Sequence, residues 1–243
     1  MTEKALPEKA AGILRQIRKK YKTEVDILRV RDLDLRILQV SDIEPLLKGR
    51  DPFEDVSNFP FWVRLWDAAL ILADSIVGLP LPPGKRLLEL GAGLGAPGLA
   101  AAAVGYQVTL SDYEPHILDF QRVSAAANHL DNVEFRIIDW NRPPEMERFD
   151  TIIGAEILFR EDFFEPLLNI LRRYLSPDGT VYLAHDAERR SLAPFLEMAS
   201  EYFKIGVISR KITTEDKETT ILLNRLQFRD GGTEPGSDRK RGG

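Results

Sequence analysis

The sequence predicts an α/β fold: a doubly wound, seven-stranded, mostly parallel sheet with its last strand antiparallel, preceded by an N-terminal helix and a β-hairpin. Three observations carry that expectation. Short apolar runs alternate with helical segments from residue 86 onward, the pattern of parallel strands joined by crossover helices. Three glycines, Gly91, Gly93 and Gly95, follow the first of these runs. Two β-rich runs, 203–212 and 218–228, end the domain with too little chain between them for a helical crossover, so they should pair antiparallel.

The elements follow in order. Residues 5–22 place Ala10, Leu14, Ile17 and Tyr21 on one side at helical spacing. Residues 24–30 and 33–40 are rich in β-branched and aliphatic side chains and flank Arg31-Asp32, a hairpin pattern. A connector with Pro45, Gly49, Pro52 and Pro60 spans 41–60, and 64–78 reads as a buried helix closing at Gly78. Strands are expected at 86–90, 107–112, 132–140, 149–159 and 180–186, with helices at 98–104, 116–129, 163–174 and 192–202. Ser176-Pro177-Asp178-Gly179 reads as the turn ending the third of those helices. The division is therefore 1–60 for helix, hairpin and connector, 61–228 for the ligand-binding domain, and 229–243 for a tail without apolar residues, expected to be disordered.

Composition narrows the function classes. The chain has 243 residues, 44% hydrophobic and 29% charged, with a formal net charge of −5. That size suits one domain of about 200 residues with a core of its own. There is no cysteine, which removes disulfides and thiolate metal sites and fits a reducing, cytoplasmic setting. No apolar stretch approaches the roughly 20 residues of a membrane span. The acidic balance disfavours nucleic acid as a partner. His116, His129 and His185 are isolated, so no metal is expected.

Ligands of doubly wound sheets bind past the carboxyl ends of the strands. The glycine loop there lets backbone approach a ligand closely and delivers a helix N-terminus. No lysine and hydroxyl follow it, because Ala96, Pro97 and Gly98 stand there, which excludes a phosphate-binding P-loop. The spacing Gly91, Gly93, Ala96 satisfies the dinucleotide pattern, and Asp112, at the next strand end, is placed to accept from ribose hydroxyls. These features suit NAD and S-adenosylmethionine alike. Asp139 and Trp140, after the third strand, offer a carboxylate for an exocyclic amine and an indole to stack on adenine. Glu89 could hold the ammonium of a methionine moiety, a group NAD lacks. The final antiparallel pair also tilts the topology toward a methyltransferase.

The motifs E-L-G-A-G-L-G (89–95), Asp112, D-W (139–140) and F-D-T-I-I-G-A-E (149–156) resemble those of class I, seven-β-strand, Rossmann-like S-adenosylmethionine-dependent methyltransferases. L-W-D-A-A-L-I-L (65–72) and G-A-E-I-L-F (154–159) resemble, more closely, the protein-lysine methyltransferase branch, which acts on chaperones and electron-transfer flavoprotein β-subunit. The resemblance implies a cofactor site in which Gly91, Ala92 and Gly93 line the methionine side. Asp112 would hold the ribose, Trp140 would stack near adenine, Ala155 would bring backbone to the sulfonium, and Trp66 would close the pocket. That branch usually carries D-x-x-Y after the fourth strand. Here Glu156, Ile157, Leu158 and Phe159 stand there, so the acid is longer and the phenol is lost.

A lysine acceptor must first lose a proton. With a reference pKa near 10.4, about one in 1,000 is neutral near pH 7.4, a handicap of roughly 4 kcal/mol. A carboxylate favours the ammonium form, so Glu156 is expected as an anchor for the incoming amine before a proton acceptor, and Phe159 as a wall of its channel. The expected function is in-line methyl transfer to a neutral lysine amine of a protein substrate. A small-molecule methyltransferase, an NAD-dependent oxidoreductase and a non-catalytic binding domain are the alternatives.

Overall fold

In the computed structural model, residues 3–47, 60–80, 84–213 and 218–229 are described. They form α1 (Glu8–Arg18), β1 (Thr23–Val30), β2 (Leu33–Val40), α2 (Glu44–Leu47), α3 (Asp67–Val77), β3 (Arg86–Glu89), α4 (Ala96–Ala103), β4 (Gln107–Asp112) and α5 (Pro115–Ala127). After these come β5 (Val133–Ile137), β6 (Phe149–Ala155), α6 (Phe164–Tyr174), β7 (Leu175–Asp186), α7 (Leu192–Ala199), β8 (Phe203–Thr213) and β9 (Glu218–Phe228).

The main sheet has the order β5-β4-β3-β6-β7-β9-β8, and β1-β2 form a separate hairpin. Strands β3 to β7 are parallel, and β9 inserts antiparallel between β7 and β8. The chain enters the sheet at β3, winds outward through β4 and β5, then returns to β6 on the other side. The switch between β3 and β6 opens a crevice at their carboxyl ends. Gly91, Asp112 and Ala155 stand at that edge because each follows or ends one of these strands.

Helices cover both faces, so the central strands bury both sets of side chains. Leu87, Leu88, Ile152 and Ile153 have no exposure. One face packs on α3 and α4 through Leu72, Ile76, Leu99 and Ala100, and the hairpin adds Leu28, Val30, Leu35 and Ile37. The other face packs on α6 and α7 through Leu167, Leu171, Tyr174 and Phe195. The N-terminal extension joins the same body. Ala10, Leu14 and Ile17 of α1 pack with Phe120 and Val123 of α5. In β2, the N–H of Leu38 donates to Ser124 Oγ at 2.9 Å and that of Arg36 to Asn128 Oδ1 at 2.8 Å.

Several expected boundaries shift. The first helix ends at Arg18, and Tyr21, past its end, packs its ring at 5.9 Å from Trp62 and 5.6 Å from Phe120. The strand expected at 132–140 stops at Ile137, so Asp139 and Trp140 lie in the loop beyond. The strand expected to 159 stops at Ala155, because Glu156 takes a left-handed φ of 55°. The 176–179 turn lies inside β7 as an irregularity: Phe149 faces Leu175, but Thr151 already faces Thr180. Gly78 does close α3, and a Cβ there would fall 2.2 Å from Arg31 Nη2; the absence of a side chain makes room for the Arg31–Asp74 ion pair at 2.9 Å. Gly49, Pro52 and the tail from residue 230 lie outside the described residues.

Candidate functional site

The loop after β3 turns through three left-handed glycines, with φ of 58° at Gly91, 52° at Gly93 and 75° at Gly95. L residues with a side chain rarely adopt such values. Space requires glycine as well, since a Cβ on Gly91 would lie 2.9 Å from Ile157 Cγ2 and 3.7 Å from Trp140 Cζ2. The loop is pinned from below. Ala92 N–H donates to the Ser111 carbonyl at 2.9 Å and Gly93 N–H to Asp112 Oδ2 at 2.9 Å. Gln121 Nε2 donates to the Gly93 carbonyl at 2.8 Å.

The candidate cofactor and acceptor residues of the sequence face one space. Trp66, Glu89, Gly91, Ala92, Gly93, Asp112, Asp139, Trp140, Ala155, Glu156 and Phe159 all line a cavity of about 760 Å³. Asp112 and Trp140 therefore share one side of the sheet edge. Phe61, Trp62, Arg64, Tyr113, Glu114, Ile157, Phe163 and Arg189 also line it and were not picked out from sequence as site residues. Phe61 stacks on Phe159 with centroids 6.2 Å apart, Phe159 meets Phe163 edge-on at 5.5 Å, and Phe163 meets Trp140 at 5.6 Å. Trp66 Nε1 donates to the Phe61 carbonyl at 2.9 Å, which ties this aromatic rim to the start of α3. Trp62 serves both core and cavity: its ring packs at 5.0 Å from His116 and 5.1 Å from Phe120.

Glu89 decides between the two cofactors left open by the glycine spacing. In dinucleotide enzymes the helix after the glycine loop offers its free N–H groups to a pyrophosphate. Here Pro97 has no N–H to offer, and the Gly98 N–H is taken by Glu89 Oε2 at 2.7 Å. The protein's own carboxylate occupies the helix N-terminus. Glu89 is only 2% exposed. Burial pushes its pKa up to about 8, opposed by the Gly98 hydrogen bond and reinforced by the Asp112 charge. Asp112 is also pushed up by burial, against backbone hydrogen bonds from Gly93, Tyr113 and Glu114. Two buried acids share this part of the cavity, which offers a pyrophosphate no positive charge, whereas a cation would favour their ionised forms. The ammonium and sulfonium of S-adenosylmethionine suit that donor set.

Glu156 takes its backbone bend at the end of β6 and reaches toward β7. Its Oε1 accepts from Asp186 N–H at 2.6 Å, and its Oε2 lies against Arg189 Nη2. Burial raises its pKa, opposed first by the Arg189 charge. The acid expected as a free anchor thus already holds a protein cation. His185, the neighbour of that turn, is fully buried, and burial with the nearby Arg189 charge lowers its pKa to about 3. Among the described residues no group of three or more histidine, aspartate and glutamate side chains could hold a metal ion. Among them too, no helix is long and apolar enough to cross a membrane.

Comparison with known proteins gives the family. The profile of the Methyltransf_16 family, described as lysine methyltransferase, matches residues 54–202. Protein N-lysine methyltransferase METTL21A of Xenopus tropicalis is 31% identical over 172 residues, covering 68% of this chain and 77% of that protein. EEF1A lysine methyltransferase 3 of Mus musculus is 30% identical over 174 residues, covering 69% and 72%. The fold is shared with N-methyltransferase NodS from Bradyrhizobium japonicum in complex with S-adenosyl-L-homocysteine, with a TM-score of 0.54, 16% identity and coverage of 78% of this chain and 94% of that one. The chain belongs to the lysine methyltransferase family, and S-adenosyl-L-methionine is its cofactor.

Proposed function

We propose that the protein methylates the ε-amine of a lysine in a partner protein, with 61–228 as the catalytic domain, 1–60 as its extension and the cytoplasm as its setting. The observation that carries this reading is a single cavity lined by the Glu89–Asp112 acid pair and by the Phe61–Phe159–Phe163 rim with Glu156. The acids suit a cationic cofactor. The aromatic rim suits the aliphatic stem of a lysine, and its apolar surface favours the uncharged amine. Relatives named for lysine methylation of proteins support the acceptor class.

When bound, S-adenosylmethionine supplies an electrophilic methyl whose bond to sulfur breaks as the bond to nitrogen forms. The chain contributes alignment and charge. Gly91, Ala92 and Gly93 would let backbone approach the methionine portion, with Glu89 holding its ammonium. Asp112 retains acceptor capacity for ribose hydroxyls beyond the Gly93 and Tyr113 N–H groups it already holds. Trp140, with Asp139 beside it, would flank the adenine, and Ala155 would bring backbone to the sulfonium side. Trp66 and Phe61 close the cavity from the start of α3. Phe159 walls the amine channel, and Glu156, paired with Arg189, stands beside it. The lysine proton leaves to water before transfer.

The test is transfer of tritiated methyl from labelled cofactor into an extract from cells lacking this protein, followed by acid hydrolysis and mass spectrometry. Label recovered as Nε-methyllysine in protein supports the reading. Label confined to low-mass compounds, or recovered as methylarginine or methylhistidine, overturns it.

A further inference from the structure

Glu156 is clasped on three sides by one neighbouring segment. Its N–H donates to the Ala184 carbonyl at 2.9 Å, its Oε1 accepts from Asp186 N–H at 2.6 Å, and its Oε2 pairs with Arg189 Nη2. The clasp holds a non-glycine residue at φ of 55°, which it would not adopt unaided. Arg189 is itself set by a turn in which its N–H donates to the Asp186 carbonyl at 3.0 Å. The Glu156 side chain is 11% exposed and that of Arg189 30%, and both line the cavity.

An unpaired carboxylate at this place would work against the reaction. It would stabilise the ammonium form of an entering lysine and so deepen its protonation handicap. A fixed guanidinium beside the acid does the reverse, because a second positive charge is disfavoured next to it. We propose that Arg189 is a positioning residue that neutralises Glu156, so that the cavity takes up the acceptor amine in its uncharged form. This rests on the lysine reading above. Asp186, the last residue of β7, brings a second carboxylate near Glu156 but does not line the cavity; Arg189 comes from the turn beyond it, and His185 of β7 is uncharged. Arg64, ahead of α3, is the other cation that lines the cavity, while Glu89 and Asp112 stand on the cofactor side.

The experiment uses the full chain at saturating S-adenosylmethionine, with cell extract raised until the rate no longer increases, following tritium in methyllysine from about pH 6.5 to 10. Under these conditions the rate reports kcat and the apparent pKa of the bound acceptor amine. R189Q and R189M should move that pKa upward by about one unit and lower the rate near pH 7.5 about tenfold. R189K should keep the wild-type profile, and adding E156Q to R189M should return the apparent pKa to the wild-type value, whatever the absolute rate. Cofactor affinity, measured by calorimetry, should stay unchanged in all variants. Should R189M fail to fold, R189Q, which keeps a hydrogen-bonding side chain without the charge, carries the comparison. A wild-type profile in R189Q with intact cofactor binding overturns the proposal. Loss in R189K equal to that in R189Q, or no recovery in the double variant, overturns it too. A wild-type enzyme that labels no lysine at all removes the lysine reading and this proposal with it, a result distinct from an unmoved profile.

Discussion

The carboxylate of Glu89, at the end of β3, accepts a hydrogen bond from the backbone N–H of Gly98 in α4 at 2.7 Å. The contact exists because residue 98 has no side chain. A Cβ there would lie 2.5 Å from Glu89 Oε2 and 2.3 Å from Leu110 Cδ2. Replacing Gly98 with alanine gains roughly 0.5–1 kcal/mol of helix preference but forces an overpacked site, which costs roughly 1–3 kcal/mol. Overpacking wins. G98A should therefore lose about 1–2 kcal/mol in denaturant unfolding and bind S-adenosylmethionine about tenfold more weakly in calorimetry, because Glu89 is displaced. A variant as stable as the parent with full affinity would contradict this account.

Glu89 also makes cofactor binding depend on pH. Its pKa is raised to about 8 in the folded protein, so at pH 7 the acid is mostly protonated. A cationic cofactor favours the carboxylate and drives that proton off. Affinity should rise with pH from about 6 and level off above about 8. Calorimetry in buffers of different ionisation enthalpy should show proton release near pH 7, and E89Q should abolish both the slope and the release. The stability effect has the opposite sign. A raised acid pKa leaves its full contribution only below about pH 4.5, and that contribution declines as pH rises through about 8. E89Q should flatten that decline in unfolding measurements.

Asp112 acts on the loop as well as on the ribose. Its Oδ2 takes the Gly93 N–H at 2.9 Å and its Oδ1 the Tyr113 N–H at 2.7 Å. Removing the carboxylate leaves both donors short of a partner and takes away the ribose acceptor. Hydrogen bonds to a charged group contribute roughly 1.5–3 kcal/mol. D112A should weaken S-adenosylmethionine binding by about 10- to 100-fold, and D112N by less, since an amide oxygen still accepts one of the two. Titration calorimetry that found unchanged affinity in D112A would remove the ribose assignment.

Phe159 should separate acceptor from cofactor. It is 47% exposed, yet it links Phe61 to Phe163 across the rim. Truncation of a half-exposed ring should cost less than about 1 kcal/mol of stability. F159A should bind cofactor normally and lose about tenfold in methyllysine formation with the extract. A matching fall in cofactor affinity would place the ring in the cofactor site instead.

Local signals carried most of the fold. The alternation of apolar runs and helices, the glycine cluster after 90 and the close spacing of 203–212 and 218–228 are patterns of neighbouring residues, and they led to the sheet and its antiparallel strand. Strand ends were less legible. Glu156 leaves β6 because the Ala184–Arg189 segment captures it, and a contact across 33 residues leaves no mark in local pattern. The turn at 176–179 was read from its composition, but pairing with β6 decides that it sits as an irregularity inside β7.

The site divides in the same way. Glycines, strand-end acids and the D-W pair announce themselves, because their positions at carboxyl ends of strands follow from topology alone. Their convergence on one cavity was thus determined by the sequence. Which atoms they hold was decided by tertiary structure: Glu89 closes the helix N-terminus through Gly98, and Arg189 neutralises Glu156. Phe61 and Phe163 join the rim only because two distant segments are brought against Phe159. The physical reason is that charge balance and shape depend on distances between residues far apart in the chain, and only the packed core sets those distances.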